Sequence, residues 1–223
     1  MDNIVGSRIG TSKFETKSWL LKKANLQLTS TQTSLITGSL LGDGTMRIGE
    51  GAVNANFKVE HGLEQKELVF WKYKILKPWV FTEPKISYRY DDNGQKYQKS
   101  WWFRTIRHPI LTKIQKKFYP KGKKIIPNDL ANSFDELALA CWIMDDGSYA
   151  RSKIDISTYS FTLSEIEQLL EMLSTKFSLQ GNYYRDRDKG FRMYFRKSET
   201  TKMVKLLEPY MISSMRYKIG FQS

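Results

Sequence analysis

Ile36-Thr37-Gly38-Ser39-Leu40-Leu41-Gly42-Asp43-Gly44 and Leu139-Ala140-Cys141-Trp142-Ile143-Met144-Asp145-Asp146-Gly147 end alike, one domain-length apart. Each is an apolar run of helical character closed by an aspartate and a glycine. Asp145 and Asp146 are adjacent, so either could be the second acid by eye. Alignment on the terminal glycine pairs Asp43 with Asp146 and Gly42 with Asp145. A duplicated helix of this kind can bring two carboxylates together on a pseudo-twofold axis, and paired carboxylates suit a hard divalent cation. Gly38 and Gly42 lie one helical turn apart without side chains, and Ala140 and Cys141 are the small residues of the second run. Small residues let two helix backbones approach closely. The negative ends of the two helix dipoles would add to the pull on a cation.

Outward from these motifs, the charge is the next strong fact. The chain has 36 Lys and Arg against 23 Asp and Glu, a formal net charge of +13 over 223 residues. A balance that basic points to nucleic acid as partner. Cys141 is the single cysteine, which excludes an internal disulfide and points to an intracellular protein. One Cys and two His leave no zinc site of ordinary ligand number. No apolar run approaches the ~18 residues of a membrane helix, and the N-terminus lacks the apolar core of a signal peptide. The expected home is intracellular: an organelle (mitochondrion or chloroplast) or a bacterial cytoplasm.

The flanks repeat as the motifs do. Residues 1–30 read as a basic N-terminal extension anchored by Trp19, Leu20, Leu21 and Leu26. Repeat one spans 31–120, a basic linker 121–132, and repeat two 133–223. In repeat one, Asn54 to Glu60 alternates as a half-buried strand. Glu64 to Leu76 has helical spacing through Leu68, Trp71 or Lys72, and Ile75. Lys85 to Tyr90 and Lys99 to Arg107 read as strands, and Pro109 opens a helix to about Phe118. In repeat two, Ser133 or Asp135 starts the motif helix and Ile154 to Ser160 is a strand. Thr162 and Glu165 fit a capping box. Asn182 to Arg187 and Phe191 to Arg196 form a hairpin, and a last helix runs from Glu199 to Glu208. Both halves follow the order helix, strands, helix, strands, helix, so the expected class is α+β with two antiparallel sheets.

The chain resembles the LAGLIDADG homing endonucleases, in particular the single-chain, two-motif type encoded by yeast mitochondrial introns. The resemblance rests on the two motifs, on Lys123-Lys124-Ile125-Ile126-Pro127-Asn128, on Ser160-Phe161-Thr162, and on Met215-Arg216-Tyr217-Lys218. It covers nearly all of residues 31–219. It implies a pseudo-twofold duplicated fold, two antiparallel sheet saddles joined by a central pair of motif helices. It implies Asp43 and Asp146 as catalytic metal ligands, with Gly42 and Asp145 adding carbonyl or outer contacts. The expected metal is Mg2+, with Mn2+ as substitute. Lys124 and Lys218 follow the last helix of their own repeats, and the resemblance puts such lysines beside the active sites. His61 and His108 read as isolated residues, structural or DNA-contacting. The implied reaction is cleavage of both DNA strands across the minor groove, leaving short 3′ overhangs. With both motifs in one chain, the expected state is a monomer.

The expected DNA contacts lie on the sheets, since a two-stranded ribbon fits the major groove. Arg192, Tyr194 and Arg196 alternate against Phe191, Met193 and Phe195. Tyr183, Arg185 and Arg187 group on the neighbouring strand. In repeat one, Lys58, Lys85, Ser87, Arg89, Lys99 and Arg104 are the candidates. Two rivals share the fold: a maturase that binds intron RNA to assist splicing, and a DNA-binding regulator without catalysis.

Overall fold

Two helices, buried over most of their length, form the axis of the molecule. The computed structural model describes residues 25–221, so the anchors Trp19, Leu20 and Leu21 of the N-terminal extension lie outside the described residues. Helix α1 (Ser30–Leu41) begins at Thr29, where Thr29 and Gln32 cap each other reciprocally. Gln32 also donates to the Ile75 carbonyl and accepts from the Trp79 indole, fixing the helix start to its own repeat. These elements follow: β1 (Thr45–Arg47), β2 (Asn56–Gly62), α2 (Lys66–Leu76), β3 (Lys85–Tyr90), β4 (Lys96–Arg104) and α3 (Pro109–Phe118). The second half repeats the order with α4 (Glu136–Asp146), β5 (Gly147–Ala150), β6 (Lys153–Ser157), α5 (Leu163–Phe177), β7 (Asn182–Arg185), β8 (Phe191–Phe195) and α6 (Lys197–Leu207). The class is α+β, as the sequence indicates.

Each half forms a four-stranded antiparallel sheet, ordered β1-β2-β4-β3 and β5-β6-β8-β7. Strands β1 and β5 are too short to leave a periodic signal and are not expected from the sequence. The two registers correspond. Thr45 pairs with Lys58 and Ser148 with Asp155. Counting from the terminal glycines, Lys58 therefore matches Asp155 and His61 matches Thr158.

The motif helices pack in parallel, with their aspartate ends together. A Cβ on Gly38 would stand 2.0 Å from the Ala138 carbonyl oxygen, and one on Gly42 would stand 2.5 Å from the Asp145 Cβ. The tight contact opposite Gly38 falls on Ala138 rather than Ala140, because position 138 shares a helix face with 145, two turns on. Asp135 caps α4 by accepting from the Ala138 amide, and its other oxygen accepts from Ser34 of α1 at 2.6 Å. One cap thus ties both helices. Ala138 to Met144 are all fully buried. Burial pushes the Cys141 thiol up to about 12, so it packs and does not react.

Candidate active site and nucleic-acid interface

The tight helix pair brings Asp43, just beyond α1, and Asp146, the last residue of α4, to one end of the molecule. Burial, then the charges of Asp43 and Asp145, raise the Asp146 carboxyl to about 7 in spite of Lys124 and Lys218. Burial alone would also raise Asp43, but the contact with His61 and the charges of His61, Lys72 and Lys218 outweigh it and leave its pKa lowered.

The two lysines stand in matching places. Lys124 Nζ donates to the Gly42 carbonyl at 2.9 Å, and Lys218 Nζ donates to the Asp145 carbonyl at 2.7 Å. Each therefore grips the residue just before a motif aspartate. Burial lowers the pKa of both, opposed by the three aspartates. Lys124 sits in the linker, and Lys218 in a tight helical turn, Ser213–Ile219.

Asp145 turns its carboxylate into the core. Lys72 of α2 donates to its Oδ1 at 2.5 Å, with both side chains fully buried. An aspartate in an apolar helix demands a partner, and the opposite repeat supplies it. The carbonyls of Gly42 and Asp145 each already accept a lysine, leaving one lone pair apiece for a further contact.

His61 is not isolated. Alternation in β2 turns Phe57, Val59 and His61 inward. Its Nδ1 lies 3.3 Å from Asp43 Oδ2, and its Nε2 lies 3.5 Å from Asp145 Oδ1. Carrying the alternation two residues past Val59 finds this histidine. Of the two residues that helical spacing offers at this position, Lys72 is buried and Trp71 half-buried. His108 caps α3 by accepting from the Ile110 amide, and its ring meets Trp79 edge-on.

A divalent cation fits the donors present. Asp43 and Asp146 are hard oxygen ligands, and divalent charge beside them would offset the repulsion that Asp146 feels from Asp43. Among the described residues no cluster of three or more His, Cys, Asp and Glu side chains is built to hold a metal. The coordination shell would therefore need substrate or water oxygens.

The outer face of the first sheet begins beside Asp43. A cavity of about 490 Å³ there is walled by Arg47, Lys58, Glu60, Lys99, Trp102 and Arg104, with Asp43 at its edge. Lys99 reaches this face through a bulge. Ser87 pairs with Ser100 and Tyr88 with Gln98, which leaves Lys99 as the extra residue. Strand β3 alternates without interruption, so Lys85, Ser87 and Arg89 share one face. Glu60 accepts from Lys58 at 2.5 Å, Ser100 at 2.5 Å and Lys99 at 3.3 Å. Burial would raise its pKa, but these donors hold it at about 2.

The second sheet splits its candidates. Arg192 pairs with Tyr184 and Ser157, and Tyr194 with Asn182 and Asp155, all on the outer face. Tyr183 pairs with Met193 and Arg185 with Phe191, placing them on the opposite face. Tyr183 meets the Phe191 ring edge-on. The hairpin register decides this, and Tyr184 takes the place expected for its neighbours. Arg187 lies in the turn at φ 49°, and Arg196 stands just past β8, where it precedes α6.

Comparison with known proteins gives the following. The model of the LAGLIDADG DNA endonuclease family matches residues 33–203. Cytochrome b mRNA maturase bI2 of Debaryomyces hansenii is 29% identical over 88% of this chain and 76% of its own length. DNA endonuclease I-ChuI of Chlamydomonas applanata is 28% identical over 87% of this chain and 97% of its own. A structure described as the homing endonuclease I-WcaI bound to its DNA recognition sequence superposes with a TM-score of 0.84 at 23% identity, covering 96% of this chain and 97% of that one.

Proposed function

Because this chain belongs to the LAGLIDADG DNA endonuclease family, we propose that it is a site-specific, metal-dependent endonuclease. It cuts both strands of a long, asymmetric DNA site and leaves short 3′ overhangs. The observation that carries this reading is the meeting of Asp43 and Asp146, each followed by a lysine in a matching place, within one chain. A single chain holding both acids needs no second copy, so it works as a monomer.

Asp43 and Asp146 would hold Mg2+, or in its place Mn2+, together with phosphate oxygens, with one centre over each strand. When bound, the metal supplies Lewis acidity and a water of lowered pKa. Lys124 and Lys218 hold the backbone ahead of each aspartate and place positive charge where the phosphate gains negative charge. The outer faces of the two sheets grip the duplex: Lys58, Lys85, Ser87, Arg89, Lys99 and Arg104 on one, Arg192, Tyr184 and Tyr194 on the other. Differences such as Lys58 against Asp155 make the half-sites unlike. Contact with about eight phosphates gives a slope near −7 for log affinity against log salt. Among the described residues no helix is long and apolar enough to cross a membrane. The proposed home is an organelle or a bacterial cytoplasm.

The likeness to an mRNA maturase supports a second role, binding intron RNA to aid splicing. Incubation with a randomised DNA library, with Mg2+ or with EDTA, tests the first reading. Recovery of one cleaved sequence only with Mg2+ supports it. Binding without cleavage, joined to stimulation of intron splicing, supports the second.

A further inference from the structure

His61 bridges the two halves at a point where they differ. Its side chain is 1% exposed. One ring nitrogen faces Asp43 of the first motif, and the other faces both Asp145 of the second and Lys72, whose Nζ is 3.4 Å away. The Lys72–Asp145 pair, with neither side chain exposed, is a rigid backstop for the imidazole. The Nδ1 contact to Asp43 is long and lacks full hydrogen-bond alignment, since Nδ1 otherwise has no partner. Such contacts tighten when a site is loaded.

Repeat two has none of this. At the matching register, Thr158 replaces His61, Leu169 replaces Lys72, and Gly42 stands where repeat two has Asp145. Thr158 donates to the Phe191 carbonyl at 2.8 Å and is committed there. Leu169 is fully buried core. A charged, three-residue brace thus stands behind one motif aspartate and apolar packing behind the other.

We propose that His61 is a positioning residue for Asp43 and that this one-sided brace makes the two strand-cutting centres unequal. The proposal rests on the endonuclease reading. The imidazole limits the rotation of the Asp43 carboxylate, so its loss misplaces one ligand set and leaves the other in place. Misplacement of a reacting group by about 1 Å can cost about a hundredfold in rate.

The test uses the full chain and a DNA target labelled separately on each strand. His61→Ala should slow one strand about tenfold or more and the other less than about twofold. His61→Asn can present its amide where Nδ1 stood and should recover most of that loss. His61→Gln, which reaches toward Nε2, should not. A merely structural role would slow both strands alike and would not distinguish Asn from Gln. Either result overturns the proposal. A second arm needs no cleavage. His61 and His108 are the only histidines, so ring 15N spectra of histidine-labelled protein are simple. Asp43→Asn should move the His61 signals and leave those of His108. Unmoved His61 signals overturn the proposal. If the protein cuts neither strand in Mg2+, the endonuclease reading fails, and the spectra still decide the His61–Asp43 contact.

Discussion

Replacing Lys72 with leucine gives repeat one the residue that repeat two carries at the same place, and the consequence can be worked from the structure. Lys72 Nζ and Asp145 Oδ1 are 2.5 Å apart with neither side chain exposed. Lys72→Leu strands a carboxylate in the core, with Asp145 Oδ2 already lacking a partner. Removing one member of a buried pair costs about 3–5 kcal/mol, because the remaining charge is uncompensated. His61, 3.5 Å away, offsets part of this. For a chain of this size each kcal/mol moves Tm by about 2–4 °C, so a fall of roughly 6–20 °C is expected. The partner change, Asp145→Ala, removes the stranded charge. The double variant Lys72→Leu/Asp145→Ala should therefore be more stable than the sum of the single effects allows, by about 2 kcal/mol. Urea unfolding in EDTA on the four proteins gives the cycle. A cost below about 1 kcal/mol for Lys72→Leu, or strict additivity, would refute the reasoning.

Further outcomes follow from the same geometry. The Asp146 carboxyl rises from 3.8 to about 7 on folding. Its contribution to stability is fully present below pH 3.8 and is lost as pH climbs through about 7. Without metal, the wild type should therefore lose stability over that window and Asp146→Asn should not. Mg2+ should raise Tm more at pH 8 than at pH 6, as differential scanning calorimetry would show. Gly38→Ala places a Cβ 2.0 Å from the Ala138 carbonyl oxygen. It should force the motif helices apart and cost about 3 kcal/mol or more, read by thermal melts. Arg192→Ala should weaken DNA binding by fluorescence anisotropy and lower the salt slope by about one. Tyr183→Ala and Arg185→Ala, on the opposite face, should change it little.

Much of this fold is written in local pattern. The duplicated apolar runs, the Thr162–Glu165 capping box and the Pro109 helix start are short-range signals, and each element forms where it points. The chemistry was less legible where it depends on contact across the pseudo-twofold axis. Asp145 reads as a second candidate ligand beside Asp146. Only the packing of α2 against the end of α4 reveals that a buried lysine claims it. His61 reads as a lone histidine because Asp43 and Asp145 are distant in sequence. Tyr183 and Arg185 share a parity with basic neighbours, but hairpin register, set by the turn from Asp186 to Gly190, assigns them to the other face. Lys99 shows the reverse: a bulge delivers it to the groove against simple alternation.

The proposed function requires two acids, one from each half of the chain, to act on the same short stretch of duplex. The most direct measurement is cleavage of a selected target by wild type, Asp43→Asn and Asp146→Asn in Mg2+, with binding followed in parallel. The expected result is that both substitutions leave DNA affinity within a few-fold and each abolishes double-strand breaks, with EDTA abolishing them in the wild type. Full double-strand cutting by either variant, or by the wild type in EDTA, would contradict a need for both motif aspartates.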